Sequence, residues 1–380
     1  MIYLDSGATT LEKPPSVARA MARAVGEMSS PGRGNYPASR RAAQVAYDCR
    51  EAAAELFHVP APEQVIFTSN ATHGLNIAIR SLVRPGGRVA VSGYEHNAVT
   101  RALHSIPGVE ILVVDAPLFQ PERMLEGFRM ALGRGVDAVI CNHVSNVFGC
   151  VQPVGEIGVL CRQYRTPLIV DASQSAGILP VSLADWGAAF IAMPGHKGLY
   201  GPQGTGLLLC AQEAKPILFG GTGSASRLQT MPADLPDRLE AGTHNMPGIA
   251  GLLEGIRFVS HTGPERIAQW ERRLIHRAKA GLMRLPEVEI FSDRTGKNQT
   301  GVLSFRVKGW DCEQLGEELA QRQIAVRAGL HCAPLAHRTA GTLDTGTIRI
   351  SPSVFNTERQ MDFFLREMEG ILQEKTEKPL

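Results

Sequence analysis

The stretch AAFIAMPGHKGLYGPQGTGLLLCA, residues 188–211, places a His-Lys pair between two short apolar runs. Apolar runs of this length, bounded by glycine and proline, are typical of strands buried inside a sheet. Similar runs recur upstream, separated by longer stretches that favour helix: QVIFTS, GRVAVSG, VEILVVD, DAVICN and PLIVDA. This alternation of strand and helix predicts the α/β class, with a mostly parallel sheet and crossover helices.

The strand pattern also divides the chain into parts. One large domain is predicted over residues 15–250, where the apolar runs alternate with helices. An amphipathic segment at residues 251–284 predicts a connecting helix, and residues 285–380 combine shorter strands with helices in a smaller α+β domain. We expect residues 1–14 to pack with the smaller domain, which also carries the loop around Cys332.

The composition argues against several classes of protein. With 380 residues, 44% of them hydrophobic, the chain is long and apolar enough for a full core. A net charge of +2 argues against nucleic acid or an anionic membrane as the main partner. No apolar run reaches the length of about 18 residues that a membrane span needs, and the start MIYLDSGATT lacks a signal-peptide pattern, so we expect a cytoplasmic protein. Seven cysteines without a C-x-x-C pair favour neither a disulfide framework nor a metal site.

Lys197 is unusual in its position. It is the only lysine between Lys13 and Lys215, although arginine is used freely in that interval. An amine can lose its proton and attack a carbonyl, whereas a guanidinium stays charged. Two interpretations are therefore open for Lys197, namely covalent chemistry and an ordinary solvated cation in a loop.

Polar residues follow several of the predicted strands, where an open parallel sheet binds its ligands. Asp171 ends the run PLIVD, where a carboxylate needs a partner, and Gln174 comes three residues later. His96 and Asn146 follow two other strands, and residues 69–72 open a helix whose free amides can bind phosphate. Each group has an ordinary alternative, such as a helix N-cap, a core histidine or an amide bonded to a turn.

Together these groups favour pyridoxal phosphate as a cofactor. That cofactor needs a lysine amine for its aldehyde and a carboxylate that keeps its ring nitrogen protonated. A dinucleotide site is the rival on this fold, but no G-x-G-x-x-G follows the first strand, and GPQGTG is not a Walker loop.

The smaller domain adds the segment AVRAGLHCAPLAH, residues 325–337, in which Cys332 follows His331 and lies near Arg327. Adjacent positive charge stabilises a thiolate, which favours a reactive cysteine over a small buried one. Arg349 alternates with apolar residues in TIRIS, so it is either an exposed strand residue or a clamp for a substrate carboxylate.

These motifs resemble the cysteine desulfurases and selenocysteine lyases, which are fold type I pyridoxal phosphate enzymes of the class V aminotransferase group. The similarity runs in order along nearly the whole chain, through YLDSGATT, GRGNY, VIFTSNAT, EHNAV, HVSNVFG, VDASQSAG, GHKGLYGPQGTG, EAGTHN, VRAGLHCAPL and RISPSVFNT. The last blocks resemble the group II branch, whose cysteine lies in a short ordered loop. The resemblance implies a large domain with a mostly parallel seven-stranded sheet, a smaller α+β domain and a two-fold symmetric homodimer.

The resemblance also implies a role for each matching residue. Lys197 would bond the cofactor and shuttle protons, and Cys332 would take the sulfur of L-cysteine as a persulfide, leaving L-alanine. His96 would stack over the cofactor ring. The other residues would hold cofactor or substrate: Ala71, Thr72 and His196 the phosphate, Asp171 the ring nitrogen, Gln174 and Asn146 the phenolic oxygen, Thr243 the cofactor across the dimer interface, and Asn146, Arg327 and Arg349 the substrate.

The sequence departs from the family pattern at two places. Pro194 stands where a serine or threonine hydroxyl commonly binds phosphate, and Ser6-Gly7 alters the usual N-terminal run. Three other functions stay open: a selenocysteine lyase acting on L-selenocysteine, a transaminase or lyase in which Cys332 is not catalytic, and a binding protein without cofactor. A desulfurase would also need a sulfur-acceptor protein, whose identity the sequence leaves open.

Overall fold

The computed structural model describes residues 1–32 and 34–377, with the side chains of 375–377 left aside. Arg33 of the GRGNY motif and residues 378–380 of the predicted smaller domain lie outside the described residues. The helices are α1 (Pro15–Glu27), α2 (Pro37–Leu56), α3 (Ala71–Leu82), α4 (Asn97–His104), α5 (Pro121–Gly133), α6 (Val154–Gln163), α7 (Leu183–Trp186), α8 (Met246–Thr262), α9 (Pro264–Leu282), α10 (Cys312–Gln321), α11 (Pro334–Thr339) and α12 (Glu358–Glu377). The strands are β1 (Ile2–Tyr3), β2 (Val65–Thr68), β3 (Arg88–Ser92), β4 (Glu110–Val114), β5 (Ala138–Asn142), β6 (Leu168–Asp171), β7 (Phe190–Pro194), β8 (Gly206–Cys210), β9 (Val288–Phe291), β10 (Leu303–Val307), β11 (Ile324–Ala325), β12 (Arg327–Gly329) and β13 (Thr347–Ile350). Within the described residues, no helix combines the length and the apolar composition that crossing a bilayer requires.

Seven strands form the central sheet, in the order β2, β8, β7, β6, β5, β3, β4. The strands from β4 through β3, β5 and β6 to β7 pair in parallel. Strand β8 alone runs antiparallel to its neighbours β2 and β7. The prediction of an α/β fold with a mostly parallel seven-stranded sheet is confirmed.

Successive side chains along each central strand enter different hydrophobic clusters. Val170 and Ile191 pack with side chains of α2, α6 and α8, whereas Ile169 and Phe190 pack with those of α3 and α4. This period of two follows from the alternation of side chains along a strand. Helices therefore cover both faces of the sheet, and the strand ends are the part left open for a ligand.

A second, antiparallel sheet holds the C-terminal part of the chain together, in the order β12, β13, β10, β9. Its apolar side chains form a core with α9, α10 and α12. The N-terminal strand β1 pairs in parallel with β11, and Leu4 enters the same core. The domain boundaries drawn from the sequence stay a prediction.

The segment expected to be one connecting helix contains two. Helix α8 ends at Thr262, Gly263 adopts a φ of 89°, and Pro264 begins α9. Glycine adopts this backbone conformation without a steric penalty. Proline is favourable at the first position of a helix, because an N–H at that position would have no intrahelical acceptor and its absence costs nothing. Helix α8 packs on α1 and α2, whereas α9 packs against α12. The chain thus passes from one core to the other at Gly263.

Candidate active site

A cavity of about 210 Å³ lies at the carboxyl edge of the central sheet. Its walls come from residues that follow β2, β3, β5, β6 and β7, because parallel strands end at the same edge. Eight of the predicted site residues line it: Ala71, Thr72, His96, Asn146, Asp171, Gln174, His196 and Lys197. Arg327, Arg349, Cys332 and Thr243 are not among the lining residues.

Lys197 reaches the cavity from the loop after β7. A Cβ at Gly198 would lie 2.4 Å from the carbonyl oxygen of Ala176, so a residue without a side chain is needed to seat this loop. Among the described residues, Lys197 Nζ has no hydrogen-bond or ion-pair partner. Burial lowers the pKa of Lys197 to about 8, although the nearby Asp171 carboxylate opposes the shift. Part of the amine is therefore unprotonated near neutral pH, as a nucleophile requires.

Asp171 ends β6 at the wall of the cavity and is only 4% exposed. Its Oδ1 accepts hydrogen bonds from the backbone N–H of Ser173, at 2.9 Å, and from the Ser173 hydroxyl. Gln174 Nε2 donates to the carbonyl oxygen of Gly7 at 2.8 Å. These bonds fix the carboxylate and the amide, and they join the cavity wall to the N-terminal segment.

His96 is the N-cap of α4 and also lines the cavity. Its Nδ1 accepts a hydrogen bond from the N–H of Ala98 at 3.0 Å, so the neutral ring carries its proton on Nε2. Burial lowers the pKa of His96 to about 4, even though Asp171 acts in the opposite direction. The capping role expected as an alternative is thus present, and it leaves a fixed, uncharged ring that a planar ligand can stack on.

The start of α3 provides a place for an anion. Asn70 caps this helix, and its side chain accepts from the N–H of His73 at 2.9 Å. The N–H groups of Ala71 and Thr72 belong to the first turn, which has no intrahelical acceptors for them. Both residues line the cavity, and the positive end of the helix dipole favours a phosphate there.

His196 lines the same cavity and is held by the N-terminal segment. Its Nδ1 lies 3.0 Å from Thr9 Oγ1, and its carbonyl oxygen accepts from the N–H of Thr10 at 3.0 Å and from Lys13 Nζ at 3.4 Å. Burial lowers the pKa of Lys13 to about 8. The sequence pattern gave Lys13 no role, although it bounds the interval in which Lys197 is the single lysine. Pro194 also lines the cavity and brings no hydroxyl to it.

Glu95 is a buried acid that accepts hydrogen bonds from its neighbours. Ser92 Oγ lies 2.5 Å from Glu95 Oε1 and 2.9 Å from Asn142 Oδ1, but a hydroxyl has one proton to give. Asn142 Nδ2 donates to the carbonyl oxygen of Tyr94 at 2.7 Å, which fixes Oδ1 as the acceptor facing Ser92. The Ser92 proton therefore lies between two acceptors, and the N–H of Asn142 donates to the same Glu95 Oε1 at 2.7 Å. Burial raises the pKa of Glu95 to about 8, with Asp171 adding to the shift and the hydrogen bonds from Ser92 and Asn142 opposing it.

Arg349 is buried on β13 with 2% exposure, which excludes the exposed-strand alternative. Its Nη1 donates to the carbonyl oxygen of Asn146 at 2.9 Å, and its Nη2 pairs with Asp5 Oδ1 at 2.5 Å. Arg327 lies opposite Arg349 in the pairing of β12 with β13. Within the described residues, the buried atoms Arg349 Nε and Asn146 Oδ1 have no hydrogen-bond partner. A donor and an acceptor left open beside the cavity suit a polar, anionic substrate.

Cys332 is exposed, whereas the other six cysteines are buried. It lies between β12 and α11, and its carbonyl oxygen accepts from the N–H of Asn97 at 2.8 Å. The carbonyl oxygen of His331 accepts from Asn146 Nδ2, also at 2.8 Å. The cysteine loop is therefore fixed to the residue that follows His96 and to a residue of the cavity wall.

Thr243 lies apart from this site. It is exposed and lines a different cavity, of about 380 Å³, together with His73, Leu218 and Glu240. The structure of one chain thus does not bring Thr243 to the cofactor cavity of the same chain. Its predicted role across a dimer interface stays a prediction.

Comparison with known proteins adds independent observations. The family model described as aminotransferase class-V matches residues 2–364. A probable cysteine desulfurase of Mycolicibacterium paratuberculosis is 32% identical over 98% of this chain, and the match spans 55% of that longer protein. A probable cysteine desulfurase of Methanothermobacter thermautotrophicus is 31% identical, and the match covers 97% of this chain and 94% of the relative.

Solved structures give the same similarity in three dimensions. The apo structure of a cysteine desulfurase from Thermococcus onnurineus superimposes with a TM-score of 0.90 at 30% identity, covering 98% of this chain and 95% of that one. A cysteine desulfurase from Escherichia coli, solved with an S-sulfonic acid, gives a TM-score of 0.84 at 25% identity, covering 98% and 94%.

Proposed function

The chain belongs to the aminotransferase class-V family, and from this premise we propose that it is a pyridoxal-phosphate-dependent cysteine desulfurase. The reaction would convert L-cysteine to L-alanine and leave the sulfur on Cys332 as a persulfide. The observation that carries the proposal is Cys332 itself, the exposed member of the seven cysteines, on a loop hydrogen-bonded to the residue after His96. Relatives named cysteine desulfurase match over nearly the full chain, which supports the same activity.

The residues around the cavity fit pyridoxal phosphate. The cavity has a buried carboxylate at Asp171, a neutral ring at His96 and, at Lys197, an amine that has no partner in the described part of the chain. The first turn of α3 offers N–H donors for a phosphate. Lys197, Asp171 and His96 would therefore hold the aldehyde, the ring nitrogen and the ring face, while Ala71, Thr72 and His196 would hold the phosphate.

The protein side chains divide the remaining work. When bound, pyridoxal phosphate supplies an aldehyde and a ring that withdraws electrons from the α-carbon of an amino acid. Lys197, with its lowered pKa, takes the α-proton of the substrate at Nζ and can return it. Arg349 and Arg327 would bind the substrate carboxylate, for which the open Arg349 Nε is a donor.

Cys332 would carry out the sulfur transfer. Its thiolate forms an S–S bond to the substrate sulfur as the C–S bond breaks, and the electron pair of that bond stays with carbon. Protonation of this carbon gives L-alanine, while the protein keeps the sulfur as Cys332–S–SH. Splitting the cleavage into a transfer and a later release to an acceptor makes two easier steps from one difficult step. A sulfur-acceptor protein is part of this proposal.

Replacement of the nucleophile tests the proposed function. In Cys332→Ser we expect alanine formation from cysteine to fall to background, while the absorbance of bound cofactor persists, because the residues of the cavity are unchanged. The matched control is Cys49→Ala, which removes a buried thiol on α2 and should retain activity. Undiminished turnover of cysteine by Cys332→Ser would instead favour a lyase, if sulfur is still released, or a transaminase, if it is not, with no catalytic role for this cysteine in either case. Assaying L-selenocysteine in parallel separates the selenium-specific alternative.

The proposal includes a homodimer in which Thr243 reaches the partner's cofactor. Thr243 is exposed, and the cavity that it lines also contains Leu218, which is 53% exposed and followed by Phe219 at 75%. Large apolar side chains on such a surface favour burial against a second copy of the chain.

A further inference from the structure

Two buried imidazole rings adjoin the cysteine loop. His331 directly precedes Cys332 and is 4% exposed, and His337 on α11 is fully buried. Their ring centroids are 5.6 Å apart and their planes are 11° from parallel. Phe148 also contacts His337, at 5.8 Å between ring centroids. None of the functions proposed above uses His337.

The hydrogen bonds of this pair run in one direction. His331 Nε2 lies 3.3 Å from the carbonyl oxygen of Arg327, which can only accept, so His331 carries its proton on Nε2. His331 Nδ1 is then an acceptor, and His337 Nε2, 3.4 Å away, must donate to it. His337 Nδ1 in turn accepts from the Thr342 hydroxyl at 2.7 Å. Burial lowers the pKa of both rings, which keeps them neutral as these bonds require.

The hydrogen bonds lead from Thr342 to the turn at His331 and Cys332, whose backbone conformation is unfavourable without stabilising contacts. His331 and Cys332 have φ angles of 53° and 55°, in the left-handed region that residues with a side chain enter at a cost. Such a conformation persists only where surrounding contacts hold it. Asn146 and Asn97 hold the backbone carbonyls of the two residues, and His337 and Arg327 hold the His331 side chain.

We propose that His337 is a positioning residue for Cys332, which acts by donating a hydrogen bond to His331 and so fixing the left-handed turn. The inference rests on the proposed function, in which Cys332 must meet the substrate sulfur. Leucine at position 337 would leave His331 Nδ1 as a buried acceptor without a donor. Glutamine would retain an N–H donor at the end of the side chain, close to the place of Nε2.

The test compares His337→Leu, His337→Gln and Thr342→Val in the cofactor-loaded protein. The first measurement is hydrogen exchange of the cysteine-loop amides by mass spectrometry, and the second is kcat and KM for alanine formation. In His337→Leu and Thr342→Val we expect faster exchange in the loop and a kcat lower by about tenfold with KM unchanged, the order of effect of one lost hydrogen bond. His337→Gln should stay close to the unaltered protein in both measurements.

The control is Arg338→Leu, an exposed neighbour on α11, which should match the unaltered protein. Unchanged loop exchange in His337→Leu, or an equal loss in His337→Leu and His337→Gln, would overturn the proposal. If His337→Leu does not fold, Thr342→Val tests the same bond indirectly: without the Thr342 hydroxyl, His337 Nδ1 is no longer fixed as an acceptor, and the ring is no longer held as the donor to His331. Hydrogen exchange does not depend on turnover, so a failure of the proposed function, seen as full activity in Cys332→Ser, remains distinguishable.

Discussion

Burial sets the protonation state of three side chains around the cavity. Lys197 is partly unprotonated near neutral pH, His96 is neutral, and Glu95 keeps its proton. The sequence identified Lys197 and His96 because both follow apolar runs, at the strand ends where ligands bind. The raised pKa of Glu95 was not predictable in this way, since it results from burial and from the Asp171 carboxylate that the fold brings near.

The titration of Lys197 leads to a prediction about pH. The unprotonated amine is the nucleophile, and burial lowers its pKa from 10.5 to about 8. The rate at which cofactor-free protein takes up pyridoxal phosphate should therefore rise with pH and level off above about 8, which stopped-flow absorbance can follow. In Asp171→Asn the midpoint should move to lower pH, because the carboxylate that opposes the shift is gone. A rate that still climbs between about pH 9 and 10 would contradict this assignment.

Glu95 leads to a prediction about stability. Its pKa is raised from 4.5 to about 8 in the folded protein, so folded chains hold a proton that unfolded chains lose in that interval. This contribution to the free energy of unfolding is complete below about pH 4.5 and is lost as pH rises towards 8, by about 1.4 kcal/mol for each unit of pKa shift. In Glu95→Gln the pH-dependent part disappears. The urea midpoint of the unaltered protein should therefore fall relative to that of Glu95→Gln as the pH rises from 5 to 8, so that the two midpoints approach each other or cross.

The control for Glu95 is Glu12→Gln, which changes an exposed acid. Its urea midpoint should differ from that of the unaltered protein by the same small amount at both pH values. A Glu95→Gln difference that is equally independent of pH would show that Glu95 is ionised in the folded state.

Secondary-structure elements were predictable to the extent that their patterns are local. The sequence pattern predicts helices at residues 72–83 and 121–133, and the structure has α3 at Ala71–Leu82 and α5 at Pro121–Gly133. The prediction of a single connecting helix was wrong, because the amphipathic pattern continues on both sides of Gly263 and hides the break between the two helices. The Gly-Pro pair at positions 263 and 264 was the local signal for the break.

A buried ion pair joins α2 and β2 to the loop before α8, and it leads to a prediction about stability. Arg50 on α2 contacts Glu240 through two bonds of 2.6 and 2.8 Å, and Glu240 also accepts from the N–H of Phe67 on β2. Burial alone would raise the pKa of Glu240, but Arg50 and a hydrogen bond from His244 hold it below its usual value. Arg50→Met would leave this buried carboxylate without its guanidinium partner, so we expect the free energy of unfolding to fall by about 3–5 kcal/mol in urea titrations.

The exposed pair of Arg257 with Glu254 is the matched control for Arg50. The Arg257 side chain is 54% exposed, so Arg257→Met should cost less than about 1 kcal/mol. Equal losses in the two variants would show that the Arg50 pair contributes no more than a surface pair.

At the scale of the whole molecule, contacts between distant parts of the chain complete the site. Asp5 and Arg349 are 344 positions apart and form an ion pair, and Asn146 supports the loop of Cys332 from the large sheet. Most of the residues of the cavity were found from the sequence, because each follows a recognisable strand. Their partners were not, since nothing local in the sequence links the two ends of the chain.

The proposed homodimer leads to a prediction that uses mixed subunits. If Thr243 serves the partner's cofactor, a dimer that combines one Lys197→Ala subunit with one Thr243→Ala subunit contains one complete site. Mixing the two inactive or weakened proteins under exchange conditions should then restore up to about half of the activity of one native dimer, measured after tag-based purification of the hybrid. A hybrid without this gain in activity would contradict a contact between Thr243 and the partner's cofactor. A monomeric mass in light scattering would exclude the dimer altogether.

The hydrogen bonds between the cysteine loop and the large domain limit how substrate can enter the site and how product can leave it. Asn97, Asn146 and Thr339 tie His331, Cys332 and α11 to the carboxyl edge of the central sheet. A hinge motion that swung the two sheets apart would have to break these ties together and would carry the thiol away from the amino acid it must meet. We therefore expect substrate to enter and product to leave through an opening beside the Cys332 thiol, without a movement of one sheet relative to the other.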